Sequence, residues 1–181
     1  MKHLFALALG VALAIPAESA AAELGWNAFE LGFMRHADGS TGPVASLSAE
    51  IGDAGWYIGL GHGRAYTDGH GARFARASLG FAYGVAPLTD LIAEAGLQRA
   101  TDAWGSADSR YALLGVSRAM GSERVIASLR ENHYFGGDLD ASETTAAVAI
   151  DLYFTSRWSV LAQVELADAG EATLLALHYN Y

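Results

Sequence analysis

Six histidines and 20 carboxylates are what this chain has for acid–base or metal chemistry, and it has no cysteine. His133 stands in RENHYFGGDLD. An imidazole there could take a proton from a serine hydroxyl, which hydrolysis requires within hydrogen-bond reach. Two residues on, where that serine would be expected, stands Phe135. RHADGST and TDGHGAR place Asp and His close together, as metal or acid–base work would demand. Gly-rich segments with Asp and His are also ordinary turns. No catalytic residue, metal ligand or cofactor is therefore expected. Without cysteine there are no disulfides, thiolate metal sites or lipid-anchored N-terminal Cys.

A second set of groups is larger. Glu30, Glu50, Glu94, Asp151 and Glu165 sit at polar positions of alternating segments, and Arg76 and Arg130 share that parity. They meet only if those segments are strands of one closed sheet. Buried charges must pair, so the expectation is a salt-bridged interior that plugs a narrow lumen. The alternative is a charged constriction that selects solutes.

The elements that would position them are strands. Apolar and polar residues alternate, with turn signals every ten to fifteen residues or so. Strands are expected near 25–36, 43–51, 56–64, 73–85, 91–99, 110–120, 124–132, 144–154, 158–166 and 172–181. In TTAAVAIDLYF, Val148, Ile150, Leu152 and Phe154 share one face, and Thr145, Ala147, Ala149, Asp151 and Tyr153 the other. WSVLAQVEL and RASLGFAYGV behave alike, and strand six is read with Ala112, Leu114 and Val116 on its apolar face.

Which face points outward follows from three features. The polar face is small, with Gly32, Gly59, Gly61, Gly63, Gly80, Gly84 and Gly96, as the crowded inside of a narrow barrel requires. Long polar connections such as HADGSTG, AYTDGHGA, ATDAWGSADS and HYFGGDLDASE alternate with short ones, GDAG, APLTD, MGSE and TSR. Trp26, Trp56 and Trp158 open strands, while Tyr83, Phe154 and Tyr181 lie at or near strand ends. If the N-terminus is periplasmic, all six fall at one interface, forming an aromatic girdle. The expected fold is all-β: an antiparallel up-and-down transmembrane barrel of about ten strands, or eight if two weak ones merge.

Residues 1–22 have a basic start, an apolar stretch from Leu4 to Ile15 and small residues at Ala20 and Ala22, the order of a cleaved signal peptide. The apolar stretch is too short to cross a bilayer, which takes about 20 residues. Residues 23–181 then form one domain. A net charge of −9 argues against nucleic acid, which selects a basic stripe. Of 11 cationic residues the one lysine is Lys2, so the surface beyond the signal uses arginine alone. Arg35, Arg64 and Arg99 close strands one, three and five with the parity of Phe33, Leu60 and Leu97, Arg64 by way of a one-residue bulge after Gly61. They are expected to meet lipid A phosphates, which guanidinium binds bidentately. The competing expectation pairs them with Asp38, Asp68 and Asp102.

The signal segment, the alternating strands and the terminal LLALHYNY resemble the small Gram-negative outer-membrane β-barrels of the porin or outer-membrane-protein type. The resemblance covers the whole mature chain. It implies an outer-membrane location, contact with membrane lipid and lipopolysaccharide, and a C-terminal strand read by the barrel-assembly machinery. It further implies a monomer with a structural, adhesive or narrow-pore role and no cofactor. Two alternatives stand beside it. One is an outer-membrane enzyme acting on lipid A, since the His133 stretch distantly resembles the His motif of a lipid A deacylase. The other is a secreted soluble barrel with an apolar ligand inside.

Overall fold

The computed structural model describes residues 26–67, 70–102, 105–135, 141–168 and 170–181. The expected signal segment, 1–22, lies outside them. Ten strands account for most of the described residues: β1 (Ala28–His36), β2 (Thr41–Ile51), β3 (Trp56–Thr67), β4 (His70–Ala86), β5 (Thr89–Thr101), β6 (Ser106–Met120), β7 (Glu123–Phe135), β8 (Ala141–Tyr153), β9 (Trp158–Ala167) and β10 (Gly170–Asn180). Each pairs antiparallel with its sequence neighbours, and β1 closes on β10 from Ala28↔Asn180 to His36↔Ala172. The barrel is closed with ten strands, not eight. Closure leaves no ladder edge unpaired, the condition for a sheet surrounded by hydrocarbon. The end where odd strands finish is called the upper end here, and the end with Ala28 and Asn180 the lower.

Alternation decides the faces. Leu31, Phe33, Leu97, Leu114 and Leu175 all point outward and are more than half exposed, Phe33 at 67%. Ala112 and Leu114 of β6 share that outward face. Away from the upper rim, charged and hydroxyl side chains of the strands mostly point in, and Asp151 and Ser159 are essentially inaccessible. An apolar exterior around a charged interior is the reverse of a soluble barrel with an apolar ligand.

The inner glycines have a specific use. Gly63, Gly80 and Gly96 stand directly opposite Phe74, Tyr57 and Tyr111. A Cβ on Gly96 would lie 2.7 Å from the Tyr111 ring, and one on Gly80 would overlap the Tyr57 ring. Each ring lies over the glycine of the neighbouring strand, which lets large side chains fill a narrow bore.

Two expectations change. β3 and β4 run on until only residues 68–69 separate them, and β5 to β8 likewise extend into the segments read as long loops. The difference in connection length between the two ends is therefore largely absorbed into strand. The polar residues there pair in the ladder without apolar alternation, so their strand character leaves no sequence pattern. β3 also pairs without interruption from Leu60↔Ala77 to Arg64↔Arg73, so Arg64 faces outward with no bulge after Gly61. The irregularity lies instead in β4, between Gly84 and Ala86.

Candidate functional site: the charged lumen and the upper rim

The lumen holds a cavity of about 360 Å³. Glu30, Arg76, Glu94, Arg130, Asp151 and Glu165 all line it. Glu50 does not: it sits exposed at the lower rim, where its carboxylate accepts the Trp26 N–H at 2.6 Å.

Glu94 is a hub. Its carboxylate accepts the Tyr57 hydroxyl at 3.0 Å and the Tyr111 hydroxyl at 2.7 Å, joining β3, β5 and β6. Higher in the bore, Arg130 of β7 reaches Glu165 of β9 at 3.4 Å, and Gln163 donates to the same carboxylate at 2.7 Å. On the β8–β10 side, Nδ1 of His178 lies 3.0 Å from Asp151 Oδ2. Glu30 lines the same cavity as Arg76 and His178. Glu94 and Glu165 thus accept hydrogen bonds inside the bore, as a low-dielectric interior demands, whereas the Asp151 oxygens and His178 ring nitrogens are buried without a hydrogen bond despite their 3.0 Å approach.

At the lower mouth the Trp26 ring stacks on Tyr57 at 4.8 Å and 9°. The Arg124 guanidinium lies over the same indole, 4.3 Å from its centroid, while Nε donates to Ser117 at 2.8 Å. Tyr57 belongs to β3 and Arg124 to β7, so the stack crosses the bore. Trp26 thereby leaves the expected aromatic girdle, because its ring lines the cavity and the cation over it holds it there. Trp56, Tyr83, Phe154, Trp158 and Tyr181 remain exposed at the lower end.

Sequence reasoning did not pick out Arg124, His178, Tyr57 or Tyr111. Parity places Arg124 with Arg130, Tyr57 with Gly59 and Gly61, and His178 opposite in face to Leu177 and Tyr179, but which residues they meet across the bore depends on register.

At the upper end Arg35, Arg64 and Arg99 are all exposed on the outer face. Arg99 is paired, but with Asp108 through two bonds of 2.7 and 2.8 Å and not with Asp102. Asp102 instead accepts the Gly105 N–H at 3.0 Å, and Asp38 accepts that of Ser40 at 2.8 Å. Asp68 lies outside the described residues. Nearby, Nδ1 of His133 lies 3.2 Å from the hydroxyl of Ser142, its cross-strand partner on β8. The serine sought along the same strand comes from the next one.

No protein-family model matches the chain. No curated protein matches it either. Solved structures do. The KdgM porin aligns at 10% identity with a TM-score of 0.52, over 85% of this chain and 99% of its own. The same porin in complex with disordered oligogalacturonate aligns at 10% identity and 0.51, with the same coverage. The β domain of the Bordetella autotransporter BrkA aligns at 10% identity and 0.52, over 86% and 99%. At this identity the likeness is one of fold: these are closed barrels of comparable architecture.

Proposed function

We propose that this protein is an integral outer-membrane barrel whose lumen is closed by its own side chains, with a structural or adhesive role at the cell surface. Residues 1–22 would direct export, and the lower end would face the periplasm. An outward apolar wall is stable only in hydrocarbon, and the barrel-shaped neighbours support that setting. The β10 strand is the segment the assembly machinery would read, and surrounding lipid and lipopolysaccharide would be the partners of a monomer.

One observation carries the closed-lumen reading: the Tyr57–Trp26–Arg124 stack across the lower mouth, continued by Glu94. Solutes would have to displace an aromatic stack and break paired charges to pass. Planar-bilayer recording tests it. Purified protein should give no steady conductance, or a very small one. A large, stable open channel would favour the narrow selective pore instead.

A second reading rests on His133 and Ser142. The imidazole could accept the serine proton while Oγ attacks an acyl ester of lipid A, then return it to the sugar oxygen as the ester C–O bond breaks; water would hydrolyse the acyl-serine and free the acid. The strand N–H groups around the pair belong to the β7–β8 ladder and are not free to act as oxyanion donors. Mass spectrometry of lipid A incubated with folded protein decides this: an unchanged acyl pattern removes the enzyme.

A further inference from the structure

We propose that the upper rim of β3, β4 and β6 is a docking site for one lipid A headgroup of the surrounding leaflet, held by Arg64, Arg73 and Arg110. The inference rests on the outer-membrane reading above and gives one lipid class a defined seat on the wall.

Arg64 and Arg73 are directly opposite in the β3–β4 ladder. Both are exposed on the outer face. Directly opposite residues have Cβ atoms about 4.5–5.5 Å apart, and like charges there oppose folding. Nearby Arg99 is neutralised by Asp108. Among the described residues, neither Arg64 nor Arg73 forms an ion pair, and Arg64 touches only the Tyr66 hydroxyl at 3.4 Å. Two facing guanidiniums with no carboxylate between them among the described residues are the arrangement that a phosphate would stabilise, each offering a planar pair of donors.

Arg110 supplies the second contact. It is exposed opposite Leu97 of β5 and His133 of β7, and it too has no ion pair among the described residues. It lies two strands from Arg73 and four residues along them, because Arg73 faces Thr101 and Arg110 faces Leu97 on the strand between, a separation of about 16 Å that two long side chains shorten. Lipid A carries two phosphates held apart by a glucosamine disaccharide, so one would fall at Arg64 and Arg73 and the other at Arg110. Below this rim Leu60, Leu79 and Leu97 point outward, an apolar wall against which acyl chains lie. A free phosphate or acidic peptide would leave that wall unused.

The placement is one-sided. Among the described residues, the outer face of β7 to β10 carries no arginine and instead presents Glu131 and Glu171 at its upper end. General attraction to headgroups would need no such asymmetry.

The test compares folded wild type with Arg64→Gln/Arg73→Gln/Arg110→Gln by native mass spectrometry in detergent, with diphosphoryl lipid A, dephosphorylated lipid A and inorganic phosphate as probes. Heat-modifiable migration confirms folding, and fractionation confirms that both reach the outer membrane. Wild type should bind diphosphoryl lipid A at least tenfold better than the triple variant and at least tenfold better than it binds dephosphorylated lipid A. Arg157→Gln, at the opposite end, should bind as wild type. Equal binding by the triple variant overturns the site, and so does equal binding of the dephosphorylated lipid. Saturation of wild type by inorganic phosphate at the same concentration overturns the lipid as its occupant. A wild type found outside the outer membrane would fail the underlying reading, whatever the binding result.

Discussion

The Tyr57 hydroxyl on β3 reaches Glu94 on β5 at 3.0 Å by passing over Gly80 of the strand between them. Both residues are register partners of that glycine, so the gap left by its missing side chain is the route of the hydrogen bond. Glycine inside a strand normally costs about 0.5–1 kcal/mol relative to alanine, and here the ring and its bond offset that cost. Gly80→Val should push the Tyr57 ring aside and destabilise the folded barrel by about 1–3 kcal/mol. Urea unfolding in micelles measures it. In a Tyr57→Ala background the same substitution should become neutral or stabilising. If it costs as much with the ring gone, the gap has no such role.

Arg99 is the rim arginine removed from phosphate binding by its partner. Its two hydrogen bonds hold the Asp108 carboxyl below the usual carboxylate range. A depressed folded-state pKa means the pairing is present at neutral pH. It is lost only as acid titrates the carboxyl below that usual range. Asp108→Asn should therefore release a further guanidinium at pH 7 and strengthen binding of diphosphoryl lipid A severalfold. An unchanged or weaker affinity for Asp108→Asn would place Arg99 outside the docking surface.

How much of this was legible depended on whether a residue's meaning lies in its own strand or in the neighbouring one. The faces of β8 and β9 were readable because Val148, Ile150 and Leu152 alternate with Ala149 and Asp151 over a period of two. Glu94 was readable as inward for the same reason. Its partners were not, because Tyr57 and Tyr111 meet it through register, and no local pattern states register. Trp26 was misplaced since an aromatic beside a strand start fits a lipid interface equally well; only Arg124, from β7, selects the inward ring. The pairing of Arg73 with Arg64 is likewise a matter of register, which neither strand states alone. A continuous β3–β4 ladder puts the two side by side.

Tyr181 ties β10 to the strands beyond the closure. Its N–H donates to the Asn27 carbonyl at 3.2 Å, and its hydroxyl reaches the Ser48 carbonyl on β2 at 2.9 Å. The ring itself is 57% exposed among the lower aromatics, where an amphipathic side chain suits a membrane interface. Tyr181→Asp should lower the yield of heat-modifiable, folded barrel in cells while leaving synthesis and export intact. Tyr181→Phe separates the two contributions, keeping the ring and losing one hydrogen bond worth about 0.5–1.5 kcal/mol. It should assemble nearly as wild type. Normal folding yields for the Asp variant would sink the assignment.

The stack at the lower mouth makes the sharpest demand on the closed lumen. Arg124 is only 3% exposed, and its charge lies against the indole of Trp26 and the hydroxyl of Ser117. A desolvated cation over an aromatic face contributes about 2 kcal/mol, enough to keep the ring across the bore for most of the time. Removing the cation alone, as Arg124→Ala, frees the ring without removing it, and conductance should appear as brief openings. Trp26→Ala/Arg124→Ala removes both and should give a larger, steadier conductance than either single variant. Wild type recorded in parallel should stay near baseline. Heat-modifiable migration must show each variant folded, because Arg124 is also a buried donor on β7. Folded double variants that conduct no better than wild type would locate the barrier elsewhere, at the Arg130–Glu165 and Glu94 levels of the lumen.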